Sequence, residues 1–387
     1  MKPIIKNSLA LMLLLFPVAE VMAQQTVKCY VSGPPDNQTM SIGGAIHVGA
    51  DMPVGSVVYQ GKIDIASYTY NYTCAFNVPS TGLGKYYFLE RQEVKLLSMR
   101  GTPAVGAGIP PNVYKTNNPG LGIVFYTNRN RNNSLTPNIA KLSWEGNREL
   151  IEKNRESMEY WAHPILNYSL IKLGPIQPGI FDLSNIARMQ LDVNYPEKDK
   201  VLAEGFPFIA AYMNITGSVS VTASSCKTQD YTVELGKHEI STLPAKGSST
   251  KWINSDINLY NCPAFRGYYS GGKGDVLTTE RGQTFPDRDP NEIRVTIKPV
   301  NPAIPEYPGT FKINDVPGAA KGVGIQLAFG DVGEDFVKFN TPTAFAQPVT
   351  EKAGTVSIPL RARYLRVDDR ISAGIANGAA TFMIEYY

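Results

Sequence analysis

Short runs in which apolar residues fall on every second position recur along this chain and dominate its second half. Val219 and Val221 share one face, as do Val233 and Leu235, then Ile257 and Leu259. Ile293, Val295 and Ile297 continue the pattern, followed by Ile325, Leu327 and Phe329, and by Val356, Ile358 and Leu360. Phe382, Ile384 and Tyr386 complete it. A period of two turns one face of a strand to a core and the other to solvent, whereas a helix face needs a period near 3.6. In the first half, 57–59, 68–74, 122–126 and 166–173 are strand candidates. Runs this short, separated by Gly, Pro, Asn and Asp, read as β-sandwiches. A length of 387 residues is more than one core usually holds, so the expectation is an all-β chain of two β-sandwich domains.

Residues 1–23 have the layout of an export signal. Lys2 and Lys6 supply the positive start, 9–16 the apolar stretch, and Val21 and Ala23 the small-residue cleavage positions. The apolar stretch is too short to span a bilayer. An exported chain meets oxidising conditions, in which cysteines pair. Cys29, Cys74, Cys226 and Cys262 permit three pairings. Local pairing, Cys29 with Cys74 and Cys226 with Cys262, would give each half one bridge, worth about 3–4 kcal/mol by loop entropy. None has CxxC or zinc-knuckle spacing, and His47, His163 and His238 are scattered, so no metal and no cofactor is expected. The net charge of +3 is too small to suggest a nucleic-acid partner. There is no Gly-x-Ser-x-Gly elbow, HExxH or phosphate-binding Gly loop, so the chain does not read as an enzyme.

One stretch departs from the strand pattern. Residues 142–161 are rich in charge of both signs and read as a short helix or a long decorated loop with a solvated face. Gly205, Phe206, Pro207 and Phe208 look like a connector, and the boundary is expected near Tyr212, dividing the mature chain into 24–211 and 212–387.

The second half resembles the pilin domain of chaperone–usher fimbriae. The matching words are Cys226 with 231–236 (YTVELG), then 257–262 (INLYNC), 322–327 (GVGIQL), 360–364 (LRARY) and 373–387, with an aromatic at the penultimate Tyr386. The resemblance covers about 213–387 and implies an incomplete immunoglobulin-like sandwich that lacks its last strand. A periplasmic pilus chaperone would fill the resulting groove first. The N-terminal strand of the next fimbrial subunit would replace it during assembly at the outer-membrane usher, by strand addition. Phe382, Ile384 and Tyr386 would then border the groove, and Tyr387 would anchor the chaperone.

About 190 residues precede the pilin-like part, and 24–29 is too short for a donor strand. That layout resembles two-domain tip adhesins, whose front domain is an elongated lectin-like sandwich. The implied function is a tip adhesin at the bacterial surface, exported through the periplasm and binding a host glycan. The alternative is a minor tip or initiator subunit that binds a protein or an abiotic surface. Sugar sites pair an aromatic platform with carboxylate and amide groups. Trp144 and Trp161 are the candidate platforms, with Tyr160, Glu159, Tyr126 and Asn128 near them in sequence.

Overall fold

A computed structural model describes residues 25–31, 33–64, 71–76, 85–127, 130–135, 141–151, 157–161, 165–196 and 201–387. The export signal lies outside the described residues. All regular structure described is β-strand apart from one 3-10 turn at Ile240–Thr242. Two separate hydrophobic cores account for most of it, the first dominated by residues before 222 and the second by residues after 235. Each half holds one disulfide, Cys29–Cys74 and Cys226–Cys262. The chain is therefore two tandem β domains.

Three sheets enclose the front core. The first orders Ser157–Trp161, Asn71–Phe76, Gln25–Val31 and Val201–Glu204. The second orders Lys141–Ile151, Lys85–Met99, Ala187–Asn194, Phe208–Thr222 and Gly179–Asp182; Asp36–Ile42 and Ala45–His47 lie parallel to Phe208–Thr222. The third contains Val57–Asp64, Ile165–Lys172, Leu121–Thr127 and Tyr114–Lys115.

The free edge of that third sheet is closed from an unexpected source. Val276–Thr279, from the second half of the chain, pairs parallel to Val57–Asp64, and Gly282–Thr284 follows as its hairpin partner. This excursion puts Tyr269 and Val276 in the front core. Tyr168 lies fully buried beneath it, its hydroxyl 3.0 Å from that of Thr278. Burial pushes the Tyr168 phenol up to about 12, against the opposing hydrogen bonds of Thr278, Tyr59 and Gln283. The Tyr168 ring fits only because residue 61 is glycine: a Cβ there would come within 2.2 Å of it. Gln283 reaches back to accept the Gly43 amide at 2.7 Å.

In the second domain, Leu360–Arg366 lies between Ile253–Asn254 and Val323–Phe329, with Thr310–Lys312 beyond. Ile257–Cys262 pairs with Gly354–Ile358. Glu292–Pro299 lies between Thr343–Ala346 and Ala380–Tyr386.

The fold departs from the sequence reading at four places. The charge-rich 142–161 is neither helix nor loop in its described parts. Lys141–Ile151 pairs along its length with Lys85–Met99, and Ser157–Trp161 pairs with Asn71–Phe76. Its charges serve as cross-strand partners, Arg91 with Glu145, Lys141 with Glu93 and Arg148 with Glu90. The stretch 205–208 is not a connector. Phe206 stacks on Phe208 at 5.2 Å and packs edge-on to Tyr72, so it belongs to the front core. Phe208–Thr222 runs unbroken through Tyr212, and its final residues still pair with Ala45–His47 and Gly179–Asp182. Val233 and Leu235 share a strand-like pattern, yet 229–239 forms no strand.

Glu90 tests the front domain. Its side chain is 2% exposed and accepts two bonds from Arg148, at 2.7 and 2.8 Å, and others from Tyr72 and Gln92. Arg148→Met leaves that carboxylate buried beside a phenol, and we expect a loss of about 3–5 kcal/mol. Arg91→Met, at a more exposed pair, costs about 1 kcal/mol or less. Urea unfolding of both variants checks the contrast; equal losses would mean that Glu90 is not held by its partner.

Candidate functional site

An extensive concave feature lies in the second domain. A groove of about 1260 Å³ runs between 230–240 on one bank and 371–382 on the other. Its floor is apolar, with Ile257, Phe311, Ile325, Leu327, Leu360 and Ala362 along it. Tyr231 and Phe382 face each other across it with ring centroids 6.3 Å apart.

Main-chain accounting defines what this groove lacks. Ala380–Tyr386 is an edge strand, paired only with Glu292–Pro299. Glu292 and Tyr387 exchange both main-chain bonds, at 2.9 and 2.8 Å. In an antiparallel ladder such pairs alternate, so Thr381, Met383 and Glu385 also bond inward. The N–H and C=O groups of Ala380, Phe382, Ile384 and Tyr386 therefore point along the open edge. The side chains of Phe382, Ile384 and Tyr386 pack against the second core. On the opposite bank, Lys227 bonds Tyr260 in both directions at 2.8 Å, and no main-chain ladder follows it through 228–239. Two stretches of unladdered backbone thus face each other over an apolar floor.

Sequence reasoning singled out Phe382, Ile384 and Tyr386, and the structure brings them to one strand beside this groove. The Tyr387 carbonyl accepts from Asn291 Nδ2 at 3.2 Å, and its ring lies under Arg294 at 3.8 Å. The end of the strand sits against the front domain. Asp51 N donates to the Tyr386 carbonyl at 3.0 Å, and Tyr386 N donates to Asp51 Oδ2 at 2.9 Å. Asn291 Nδ2 also donates to the His47 carbonyl at 3.1 Å. Nothing in the alternation pattern marked Asp51, Asn291 or His47, because their roles exist only where the two domains meet.

His47 is fully buried at that junction. Its Nδ1 lies 3.0 Å from Thr222 Oγ1, and that hydroxyl donates to the Ile46 carbonyl. The shared hydroxyl proton leaves Nδ1 as the donor, so Nε2 carries a lone pair. Nε2 is buried with no partner among the described residues, and the ring packs edge-on to Phe265 at 5.3 Å. Protonating Nε2 would create a buried donor with no acceptor.

The front-domain candidates do not converge. Tyr160 is 7% exposed, stacked on Tyr72 at 5.4 Å and edge-on to Phe88 at 5.6 Å. Tyr126 is 1% exposed, its hydroxyl 2.9 Å from that of Ser169 and its ring beneath Arg131. Both rings are core, so neither presents a face to a ligand. Glu159 is exposed on Ser157–Trp161, opposite Thr73. Trp144 stands opposite Gln92 and Trp161 opposite Asn71; their side chains, and Asn128 altogether, lie outside the described residues. No cluster of metal-ligating side chains occurs among the described residues.

Residues 213–387 match the family model described as fimbrial protein. The second half of the chain, residues 213–387, is thus similar to a fimbrial domain. Among solved structures the chain is similar to the CupB6 tip adhesin of Pseudomonas aeruginosa, at 13% identity over 87% of this chain and 90% of that one, with a TM-score of 0.34. It is similar to the receptor binding domain of the adhesin MrkD1P of Klebsiella pneumoniae at 16% identity, over 52% of this chain and 99% of that one, with a TM-score of 0.27. For the P pilus rod subunit PapA the values are 18%, 42%, 100% and 0.30. A comparison with curated proteins finds no match. The fimbrial likeness rests on the match over 213–387.

Burial, with Arg266 nearby, pulls the His47 imidazole from 6.5 down to about 4. Between those values the unfolded chain binds the proton that the folded chain refuses, so stability falls as pH is lowered through that window. The expected loss is on the order of 3 kcal/mol between pH 7 and pH 4. Urea unfolding of the full chain across this range should show an acid slope that His47→Gln reduces. Identical slopes would clear His47 of the effect.

Proposed function

We propose that the fimbrial domain is an immunoglobulin-like sandwich lacking one strand, and that the groove is the seat of that strand. The observation that carries this reading is the pair of facing, unladdered backbones, 228–239 and Ala380–Ile384, above an apolar floor. An extended segment lying between them would pair through its main chain and set alternate side chains on the floor. A periplasmic chaperone strand occupies the groove first, and the N-terminal strand of the next subunit replaces it at the usher. Without either, the domain keeps an exposed apolar trough and an open edge, both of which favour aggregation.

The front domain is the receptor-binding part of a tip adhesin in this reading. Gln25–Val31 is paired on both sides, with Asn71–Phe76 and Val201–Glu204, and is bridged through Cys29. That stretch is committed to the front domain and does not serve as a donor strand. A subunit that accepts a strand and keeps this one for itself suits the fibre tip. Its ligand is a host glycan, with Trp144, Trp161, Glu159 and Asn128 as the remaining candidate contacts.

Two experiments test these parts separately. A synthetic peptide of alternating Val and Thr, at about 100 times its Kd, should stabilise the full chain by about 2.7 kcal/mol. An unchanged melting temperature at saturating peptide would end the strand-acceptor reading. A glycan array probed with the peptide-complemented full chain should show binding to a few related sugars, reduced at least about tenfold in Trp144→Ala or Trp161→Ala. The full chain is needed because Val276–Thr279 completes a front sheet. A blank array would favour a protein or abiotic surface as the ligand, and binding indifferent to both substitutions would move the site elsewhere.

A further inference from the structure

The open edge of Ala380–Tyr386 is not open along its whole length. Of the residues whose main-chain groups face the groove side, Tyr386 is already satisfied, and by the other domain. Asp51 accepts the Tyr386 N–H through Oδ2 at 2.9 Å and donates its own N–H to the Tyr386 carbonyl at 3.0 Å. Those are the two bonds that one residue of an added antiparallel strand makes with its partner in a hydrogen-bonded pair. One residue of the front domain thus imitates the end of a strand.

The imitation is rigidly supported. Gly49, two residues earlier, approaches so closely that a Cβ would stand 2.1 Å from the Tyr386 carbonyl oxygen. Lys172 lies beneath the loop, 3% exposed, with Nζ donating to the carbonyls of Gly49 and Ala50 at 3.0 and 2.6 Å. Burial lowers the Lys172 pKa, and Asp51 opposes that shift. Beyond Tyr386, Asn291 ties the Tyr387 carbonyl to that of His47. The loop has no slack with which to leave Tyr386. Ala380, Phe382 and Ile384 have no such cap.

We propose that Asp51 is a built-in end-stop for the donor strand: it fixes the register at which an incoming segment seats by occupying the last pairing position of the acceptor edge. This rests on the strand-acceptor reading above and adds to it. A donor pairs with Ala380, Phe382 and Ile384 and terminates against the front-domain loop. The receptor-binding domain and the donor strand are then neighbours through one residue. Asp51 positions the partner and takes no part in recognising its side chains.

Amide hydrogen exchange on the full chain, with and without an alternating Val/Thr peptide of about eleven residues, reads each position directly. In the peptide-free wild type the Tyr386 amide should be protected while those of Phe382 and Ile384 exchange freely. Peptide should slow Phe382 and Ile384 at least about tenfold and leave Tyr386 unchanged. In Asp51→Ala, Tyr386 should exchange at least about tenfold faster both without and with peptide, because its side-chain cap is gone while the loop backbone still keeps the strand from extending. Asp51→Asn keeps a side-chain acceptor and should behave as wild type, which separates loss of the cap from general loosening. A wild-type Tyr386 amide that is open without peptide, or that peptide slows as much as Phe382, overturns the end-stop. Phe382 and Ile384 amides that no peptide slows overturn the strand-acceptor reading itself.

Discussion

Every strand edge in this molecule presents main-chain donors and acceptors that must be paired, covered or left to water, and the two domains meet that requirement in opposite ways. The front domain borrows. Its Val57–Asp64 edge is closed by Val276–Thr279, brought over from the other half of the chain. The fimbrial domain does not close its own edge, although that excursion shows that it has strand to spare. Ala380–Ile384 keeps one side unpaired while Glu292–Pro299 holds the other. The core beneath follows suit: Tyr168 lies sealed under the borrowed strand, while Phe382 and Ile384 are only partly buried beside the groove.

The borrowed strand also decides how the halves are joined. A linker alone would leave the domains free to swing. Here the contact includes main-chain bonds in both directions: His47 N to the Gly267 carbonyl at 2.9 Å, Gln60 N to the Tyr269 carbonyl at 2.6 Å and Asp51 N to the Tyr386 carbonyl at 3.0 Å, with Tyr269 N returning to the Val58 carbonyl at 3.3 Å. Buried polar side chains bracket these bonds, with Asn291 donating to both His47 and Tyr387 and Lys172 holding the loop at Gly49. Separating the domains would expose all of these together and strip the front core of Tyr269 and Val276. Force on the fimbrial domain therefore reaches the front domain through a sheet rather than through a tether.

Strands of the second domain such as Glu292–Pro299 were legible because they bury one face only, the condition under which a period of two survives in a sequence. Ile293, Val295 and Ile297, and Ile325 with Leu327, face one core and read true. The charged 142–161 was not legible as strand. Its polar residues pair across the ribbon, so neither face carries an unbroken apolar series. Tyr126 and Tyr160 were misjudged for a related reason. A tyrosine near polar neighbours looks like a ligand platform, and only the fold shows Phe88, Tyr72 and Ser169 around the rings. The junction residues carry no local signature, since Asp51 and Tyr386 are 335 positions apart.

Val233 and Leu235 carry the most information where pattern and structure disagree. Their alternation is that of a strand, and Leu235 does reach the second core at 8% exposure. Yet no ladder forms over 228–239. Propensity alone does not make a strand, because most of the gain comes from cross-strand pairing and packing. The bank facing this segment is Ala380–Ile384, equally strand-like and equally short of a partner, but the groove between them is too wide for direct bonds. In the strand-acceptor reading proposed above, a strand-like segment with nothing in its own chain to pair with is the seat of a second molecule. That reading draws on the pattern only because an open edge and an apolar floor lie beside it.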